Sequence, residues 1–380
     1  MSEQALALVA SPAALEEALV DLSREPLLAV DTEAASFHRY HDRVYLIQLS
    51  SRDRTIIVDP LAAGDLAQLG RMLADPGTEI VFHDADYDLR LLDQQYGFRA
   101  AHLFDTRVAA QLLNEPGIGL AALLEKYLGV ALDKRFQRAD WSTRPLSQDM
   151  LRYAAADTRH LLVLRDILRE RLVERGRLSW AEEEFALLEQ VRWAAGDDGE
   201  PGFLRVKGAK ALRGRSLAAL RELYQWRDET AARSDRAAFR IINTEPLLEI
   251  AKTLPTDAAG LRAIRGIGTE LVERRGREML AAVQRALDLP EQELPRIERG
   301  PRRAPDPALD ARVEQLKAKR NELAIRFDLA PGVLCPNATL EAIARAIPRT
   351  VEELRAIPGV RRWQVAEFGE ELLTAVRSEK

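Results

Sequence analysis

The chain has 380 residues, of which 47% are hydrophobic and 30% are charged. This length exceeds what one compact core commonly holds, so two or three domains are expected. The composition excludes a largely disordered chain. The formal net charge of −5 gives no global sign of nucleic-acid binding, which must then depend on local basic patches.

The cysteine content and the N-terminus bear on the compartment. One cysteine, Cys335, excludes an intrachain disulfide and a cysteine-based zinc site. The N-terminus lacks the pattern of a secretory signal, and no apolar run approaches the roughly 20 residues that span a bilayer. We therefore expect a cytoplasmic protein without a membrane partner, and no obligate protein partner is evident.

The first part of the chain predicts an α/β domain with a mixed sheet flanked by helices. Apolar, β-branched runs predict strands at 27–33, 44–50 and 55–60, spaced as hairpin-connected strands are, and another at 78–83. Helical periodicity follows at 66–75 and again at 87–98, where Gly97 is the expected stop. From Asp105 the pattern is helical, including one long segment that Ser147 would cap. This domain is predicted to cover residues 1–200.

The rest of the chain predicts helices only and contains an internal repeat at an offset of about 93 positions. The aligned positions are Leu247, Ile250, Ala251, Leu254, Pro255, Leu261, Ile264 and Gly266 with Leu340, Ile343, Ala344, Ile347, Pro348, Leu354, Ile357 and Gly359. Because all are apolar, proline or glycine, the repeat duplicates architecture rather than chemistry. Two helical domains are predicted at 205–289 and 309–380, joined by a proline-rich, semi-rigid linker at 290–308.

Carboxylates occur in three separate segments of the first domain. Asp31 and Glu33 are two positions apart on an apolar strand, so both side chains emerge on one face and repel unless a cation or water neutralises them. Between a strand and a helix, Asp84, Asp86 and Asp88 are equal candidates for one further ligand. Each group also has an ordinary structural explanation, as solvent-exposed strand-end or helix-start acids.

The third segment is helical. Tyr153 and Asp157 lie four residues apart and share one helix face. Four carboxylates from separate segments are what a two-metal phosphodiesterase needs, and hard oxygen ligands favour Mg²⁺ or Mn²⁺. A tyrosine one turn from the last ligand can orient the attacking water.

In chain order, VDTEA at 30–34, HDADYD at 83–88 and YAAAD at 153–157 resemble the three exonuclease motifs of the DEDD superfamily, tyrosine subclass. The resemblance implies a ribonuclease-H-like fold for the first domain and two bound Mg²⁺ or Mn²⁺ ions. It makes Asp31, Glu33, Asp88 and Asp157 the metal ligands and Tyr153 the residue that places the water. His83 then belongs to the second motif and is a candidate substrate contact, whereas Asp105 is expected to be structural.

The helical repeats resemble HRDC domains, and the first copy matches more closely, with Trp226 and Arg227 in place. The offset puts Lys319 and Arg320 opposite them in the second copy. An exonuclease domain followed by two HRDC copies resembles the bacterial ribonuclease D family. That resemblance implies a 3′-to-5′ exoribonuclease that trims RNA with a free single-stranded 3′ end, precursor tRNA included, and releases nucleoside 5′-monophosphates.

A basic patch without acids opens the first predicted helical domain and predicts RNA contacts. Together with Trp226 and His83, its members form the expected RNA-binding set: Arg205, Lys207, Lys210, Arg213 and Arg215. Two alternatives remain open at this point. One is an exonuclease that acts on DNA, since such enzymes share the motifs, and the other is a non-catalytic RNA-binding protein on the same scaffold.

Overall fold

The computed structural model describes residues 5–194, 201–297 and 306–377. These residues divide into two compact units, one formed by 5–33, 44–193 and 306–377 and the other by 34–43, 194 and 201–297. The predicted domain end near residue 200 and the middle of the predicted linker lie outside the described residues. None of the described helices is long and apolar enough to cross a membrane.

A six-stranded mixed sheet forms the centre of the N-terminal domain, as predicted. Its strands are β1 (Ala5–Val9), β2 (Leu27–Ala34), β3 (Val44–Ser50), β4 (Arg54–Val58), β5 (Glu79–Phe82) and β6 (Leu103–Asp105), in the order β1-β4-β3-β2-β5-β6. The β3/β4 pair is antiparallel, and β1/β4, β2/β5 and β5/β6 are parallel. The strand that carries Asp31 and Glu33 therefore lies in the middle of the sheet.

The described part of this domain contains eight helices: α1 (Pro12–Leu22), α2 (Ala67–Leu73), α3 (Asp86–Tyr96), α4 (Thr106–Leu112), α5 (Leu120–Leu128), α6 (Gln148–Arg159), α7 (Leu161–Glu174) and α8 (Leu178–Leu188). Gly97 ends α3 at φ +67°, and the Ser147 hydroxyl accepts from the Met150 amide at 3.2 Å, both as predicted. The single long helix predicted after Ser147 is wrong. His160, at φ −106° and ψ −2°, separates α6 from α7.

The first helical repeat, in the second unit, contains α9 (Gly214–Ser234), α10 (Ala238–Ile241), α11 (Thr244–Thr253), α12 (Ala258–Arg262) and α13 (Thr269–Asp288), with 3₁₀ turns at Gly202–Arg205, Ala209–Ala211 and Glu291–Glu293. The two long helices α9 and α13 pack along each other and enclose an apolar core that includes Leu220, Leu223 and Met279. Burial of this stripe is what holds the helices together, because exposed apolar surface would cost free energy.

The second repeat contains α14 (Pro307–Arg326), α15 (Pro331–Leu334), α16 (Asn337–Ala346), α17 (Val351–Arg355) and α18 (Arg362–Arg377). Every helix begins 93 positions after its counterpart, which confirms the predicted duplication. The turns repeat as well: Leu254 and Ile347 both have φ +49°, and Gly266 and Gly359 have φ +90° and +88°. At such positive φ values glycine avoids the strain that a Cβ brings.

The second repeat packs on the N-terminal domain within the first unit. The rings of Trp180 in α8 and Trp363 in α18 stack with centroids 4.5 Å apart and an interplanar angle of 14°. Glu183 accepts hydrogen bonds from the backbone amides of Arg362 at 2.8 Å and Trp363 at 3.1 Å. These contacts combine stacking with a carboxylate at the first residues of a helix, where negative charge is stabilising.

Candidate active site

Three of the predicted carboxylates meet at one end of the sheet. Asp31 and Glu33 come from β2 and Asp157 comes from α6, and each offers an oxygen such that all these atoms lie within 4.8 Å of one another. All three side chains are half-buried. The same-face placement predicted for Asp31 and Glu33 is therefore what brings them to a shared centre.

Asp88 reaches this centre from the first turn of α3. Its side chain is buried, at 6% exposed, and accepts a hydrogen bond from the Thr32 hydroxyl. Thr32 lies between the two β2 carboxylates in sequence, so one strand supplies two acids and the donor that orients a third. Sequence reasoning missed Thr32, because strand alternation directs its side chain away from its two neighbours.

The two competing acids of this turn have other partners. Asp84 is exposed, has φ +68° and forms an ion pair with Arg107. Asp86 forms a two-pronged ion pair with Arg90 one helical turn later, with N···O distances of 2.7 and 3.0 Å. The structure therefore brings Asp88, of the three candidates, to the carboxylate centre.

Electrostatic repulsion is built into this centre. Burial raises the pKa of Asp31 well above its ordinary value, and repulsion by Asp88, Asp157 and Glu33 raises it further. Burial likewise raises the pKa of Glu33, Asp88 and Asp157. Within the described part of the chain, no lysine or arginine forms an ion pair with Asp31, Glu33 or Asp157. Buried acids of this kind require a cation to ionise together, and an all-oxygen donor set fits a hard divalent ion.

Tyr153 is held beside the carboxylates by two aromatic rings. The ring of Phe136 lies 5.8 Å from the Tyr153 ring, and the buried ring of Trp141 lies 6.0 Å from it. Burial, followed by repulsion from Asp157, raises the pKa of the Tyr153 hydroxyl well above its ordinary value. The hydroxyl therefore keeps its proton and can donate a hydrogen bond at neutral pH.

Trp141 is itself fixed by an arginine that sequence reasoning missed. Arg144 donates to the two carboxylate oxygens of Asp59 at 2.6 and 2.9 Å, and to the carbonyls of Trp141 at 2.7 Å and Tyr45 at 3.0 Å. The Asp59 side chain is only 7% exposed. No local pattern links the two charged residues, which are 85 positions apart. The fold alone reveals the pair.

A cavity of about 280 Å³ opens beside Tyr153 and Asp157. Three of its lining residues are arginines from the α5–α6 connection and from α6, namely Arg135, Arg152 and Arg159. Acids line it too, and Arg135 and Arg152 form ion pairs with Asp133 and Asp149. The carboxylate centre thus adjoins a charged recess large enough to admit part of a polar substrate.

His83 and Asp105 have structural partners. The Thr106 hydroxyl donates to the Phe82 carbonyl at 3.1 Å, so the Nδ1–H of His83 is the donor in the 2.9 Å bond to that hydroxyl. Burial lowers the pKa of His83 to about 4. Asp105 caps α4 by accepting from the Arg107 and Val108 amides at 2.8 and 3.0 Å, which confirms its predicted structural role.

The expected RNA-binding residues of the first repeat do not share one environment. Arg205, Lys207, Lys210 and Arg213 are exposed. Arg213 also donates to the nearby Lys210 carbonyl at 2.7 Å. Arg215 is half-buried and donates to the carbonyls of Ala286 at 3.0 Å and Leu289 at 2.8 Å, at the end of α13.

Trp226 requires a correction. Its ring is 6% exposed within the apolar core, and its indole N–H donates to Glu278 at 2.8 Å. A ring packed in this way offers no face to a nucleic-acid base, so the prediction that Trp226 binds RNA is wrong. A match at a tryptophan in the repeat signals core packing rather than a surface.

A mixed sheet with carboxylates from three segments and a tyrosine on the same helix face as the last of them defines a 3′-to-5′ exonuclease of the DEDD class. A 3′-5′ exonuclease family model matches residues 6–173, and an HRDC domain model matches 216–283 and 310–376. The fold is shared by a protein from Bifidobacterium adolescentis, with a TM-score of 0.83, 26% identity and coverage of 99% of this chain and 100% of that one. Escherichia coli RNase D gives a TM-score of 0.71 at 25% identity and covers 99% of both chains.

Ribonuclease D of Gluconacetobacter diazotrophicus is 36% identical over 358 residues, which cover 93% of this chain and 88% of that protein. The chain also matches rat exosome complex component 10 at 34% identity over 72% of this chain and 32% of that protein. The chain belongs to the ribonuclease D family and is a 3′-to-5′ exoribonuclease. Family membership and the acidic centre together indicate that it uses divalent metal, and they disfavour both alternatives that the sequence left open.

Proposed function

We propose that this exoribonuclease uses two divalent cations, Mg²⁺ or Mn²⁺, to shorten RNA from a free single-stranded 3′ end. The observation that carries the proposal is the convergence of Asp31, Glu33 and Asp157, with Asp88 adjoining, in a half-buried centre. Bound there, the cations would activate water, orient the scissile phosphate and stabilise the leaving oxygen. These four carboxylates would hold them.

The protein's own groups position the reactants. The protonated Tyr153 hydroxyl orients the attacking water, because its ring is fixed between Phe136 and Trp141. Thr32 holds Asp88 in place. The water oxygen bonds to the phosphorus of the last phosphodiester and loses a proton. The bond from that phosphorus to the 3′ oxygen of the preceding nucleotide breaks. That oxygen takes up a proton, and a nucleoside 5′-monophosphate is released.

For the substrate class, we infer precursor tRNA and other structured RNAs with short 3′ extensions. The solved Escherichia coli relative is described as an exoribonuclease involved in structured RNA processing. A half-buried centre beside a recess of about 280 Å³ has room for part of a single strand rather than for a whole duplex. The exposed basic residues Arg205, Lys207, Lys210 and Arg213 are candidates for contacts to the body of the RNA.

The first test is digestion of an RNA hairpin with a short single-stranded 3′ tail. We expect stepwise shortening of the tail with Mg²⁺ or Mn²⁺, none with EDTA, and none by Asp157→Asn. Products would be identified as 5′-monophosphates by chromatography. If the wild type binds the hairpin and removes nothing with either metal, the catalytic proposal is wrong.

A matched pair of substitutions tests the assignment of the second motif. Asp88→Asn should abolish hydrolysis, whereas Asp86→Asn should keep it, because Asp86 pairs with Arg90 at the surface. The two changes are chemically identical and two positions apart. Equal losses in both variants would contradict the assignment of Asp88 as the ligand.

A further inference from the structure

The first helical repeat contains a cleft of about 370 Å³ whose charge is opposite to that of the whole chain. The arginine cleft lies between the end of α9, α10 and the start of α13. Its lining includes four arginines and one glutamate, namely Arg236, Arg240, Arg274, Arg275 and Glu270. A local excess of positive charge in a protein with net charge −5 requires a specific reason.

Acids nearby balance part of this charge. Arg274 pairs with Glu270 at 3.1 Å, and Arg275 pairs with Glu278 at 2.9 Å. Glu278 also accepts a hydrogen bond from the indole N–H of Trp226, so its carboxylate is held against the core. The Arg274–Glu270 pair lies on exposed helix surface, with side chains 64% and 81% exposed, so solvent screens it and a phosphate can compete for the Arg274 guanidinium.

Two exposed aromatic rings adjoin the arginine cleft. Phe239 is 44% exposed and meets the 45% exposed Phe37 edge to face, with ring centroids 6.2 Å apart. Arg240, which lines the cleft, places its guanidinium 5.9 Å from the Phe239 ring centroid. Its Nε donates to the Phe37 carbonyl at 2.6 Å, so the guanidinium and both rings form one connected surface. Large rings left this exposed often mark a binding surface.

We propose that the arginine cleft binds the phosphate backbone of a single-stranded stretch of the RNA substrate, with bases stacked on Phe239 and Phe37. Arginine forks match phosphate geometry, and stacking on aromatic side chains is available only to bases that are not paired in a duplex. The proposal rests on the proposed function. It assigns binding of the RNA strand to residues outside the patch at 205–215. Within that patch, Arg215 already links α9 to α13 through a hydrogen bond to the Ala286 carbonyl.

The test is equilibrium binding of a fluorescent single-stranded oligouridine in Mg²⁺, with every protein carrying Asp157→Asn so that the RNA stays intact. Arg236→Gln with Arg274→Gln should weaken binding at least about tenfold and reduce the slope of log Kd against log salt by roughly 1.4, since each single-strand phosphate contact contributes about 0.7. The matched control is Arg262→Gln with Arg265→Gln, two exposed arginines of the same repeat outside the cleft. It should leave affinity and slope unchanged.

A second variant tests the aromatic part. Phe239→Leu keeps an apolar side chain and the net charge but removes the ring, so affinity should fall severalfold with the salt slope unchanged. Circular dichroism and thermal melting would confirm that each variant is folded. Equal Kd values for the cleft variant, its control and the parent protein would overturn the proposal, and so would equal weakening by the cleft variant and its control.

Hydrolysis assays on a long and a short substrate distinguish failure of the cleft proposal from failure of the proposed function. In the catalytically intact background, the cleft variant should raise KM for a long single-stranded tail and leave hydrolysis of a dinucleotide unchanged. An enzyme without activity on either substrate would refute the proposed function, while the binding comparison would still decide the role of the cleft.

Discussion

Replacing Arg144 by methionine should destabilise the N-terminal domain and slow catalysis together. The substitution removes both hydrogen bonds to Asp59 and those to the carbonyls of Trp141 and Tyr45. Loss of one partner from a buried ion pair costs about 3–5 kcal/mol. The Arg144 side chain is 27% exposed and the Asp59 side chain 7%, so water can compensate part of the loss and we expect about 3 kcal/mol.

For a domain of this size, about 3 kcal/mol lowers the melting temperature by roughly 6–12 °C. Trp141 also loses the bond that fixes its backbone beside Tyr153, and we expect kcat to fall about tenfold with KM unchanged, because small displacements of positioning groups are costly. Calorimetry and steady-state digestion of a tailed RNA hairpin would measure both effects.

Two further variants separate the causes. Arg52→Met removes an arginine of the same domain that pairs with Asp166 at the surface, where both side chains are more than one third exposed, and it should leave the melting temperature unchanged. Adding Asp59→Asn to Arg144→Met removes the unpaired buried charge and should restore about half of the lost stability. A melting temperature within about 1 °C of the wild type for Arg144→Met would refute the reasoning.

Three other substitutions test the remaining roles. Tyr153→Phe should lower kcat by about 10- to 100-fold at constant KM, because only the positioning hydroxyl is lost; steady-state digestion would show this, and unchanged kcat would contradict it. Trp226→Ala should lower the free energy of unfolding, measured with urea, by about 3–5 kcal/mol. The substitution leaves a cavity in the core of the first repeat and leaves Glu278 without its indole donor. A loss under about 1 kcal/mol would contradict a core role. Because folding lowers the pKa of His83 to about 4, the unfolded chain binds the proton first as pH falls. The contribution of His83 is therefore complete above about pH 6.5 and declines towards pH 4, so His83→Gln should lose about 2 kcal/mol less stability than the wild type between pH 7 and 5. Parallel urea titrations at the two pH values would reveal the difference, and identical losses would rule it out.

The sequence by itself determined the candidate ligands whose spacing follows the period of their element. Asp31 and Glu33 share a face because strand side chains alternate, and Tyr153 and Asp157 share a face because a helix returns to the same side after four residues. The sequence also predicted the helical duplication, since the constant offset between its apolar, proline and glycine positions equals the offset between the helix starts of the two repeats. Two strands were not predicted. β6 has three residues, too few to show a period, and the five residues of β1 are all apolar, so they show no alternation with polar positions.

Only the tertiary structure decided the features that depend on distant segments. The bond from Thr32 to Asp88 spans 56 positions and selects one of three nearby acids, and Arg144 meets Asp59 across 85 positions. Burial also reversed one expectation, because Trp226 belongs to a core that forms only when α9 packs along α13. Period and spacing record which face of an element a residue occupies, whereas its partners are set by the packing of elements far apart in the chain.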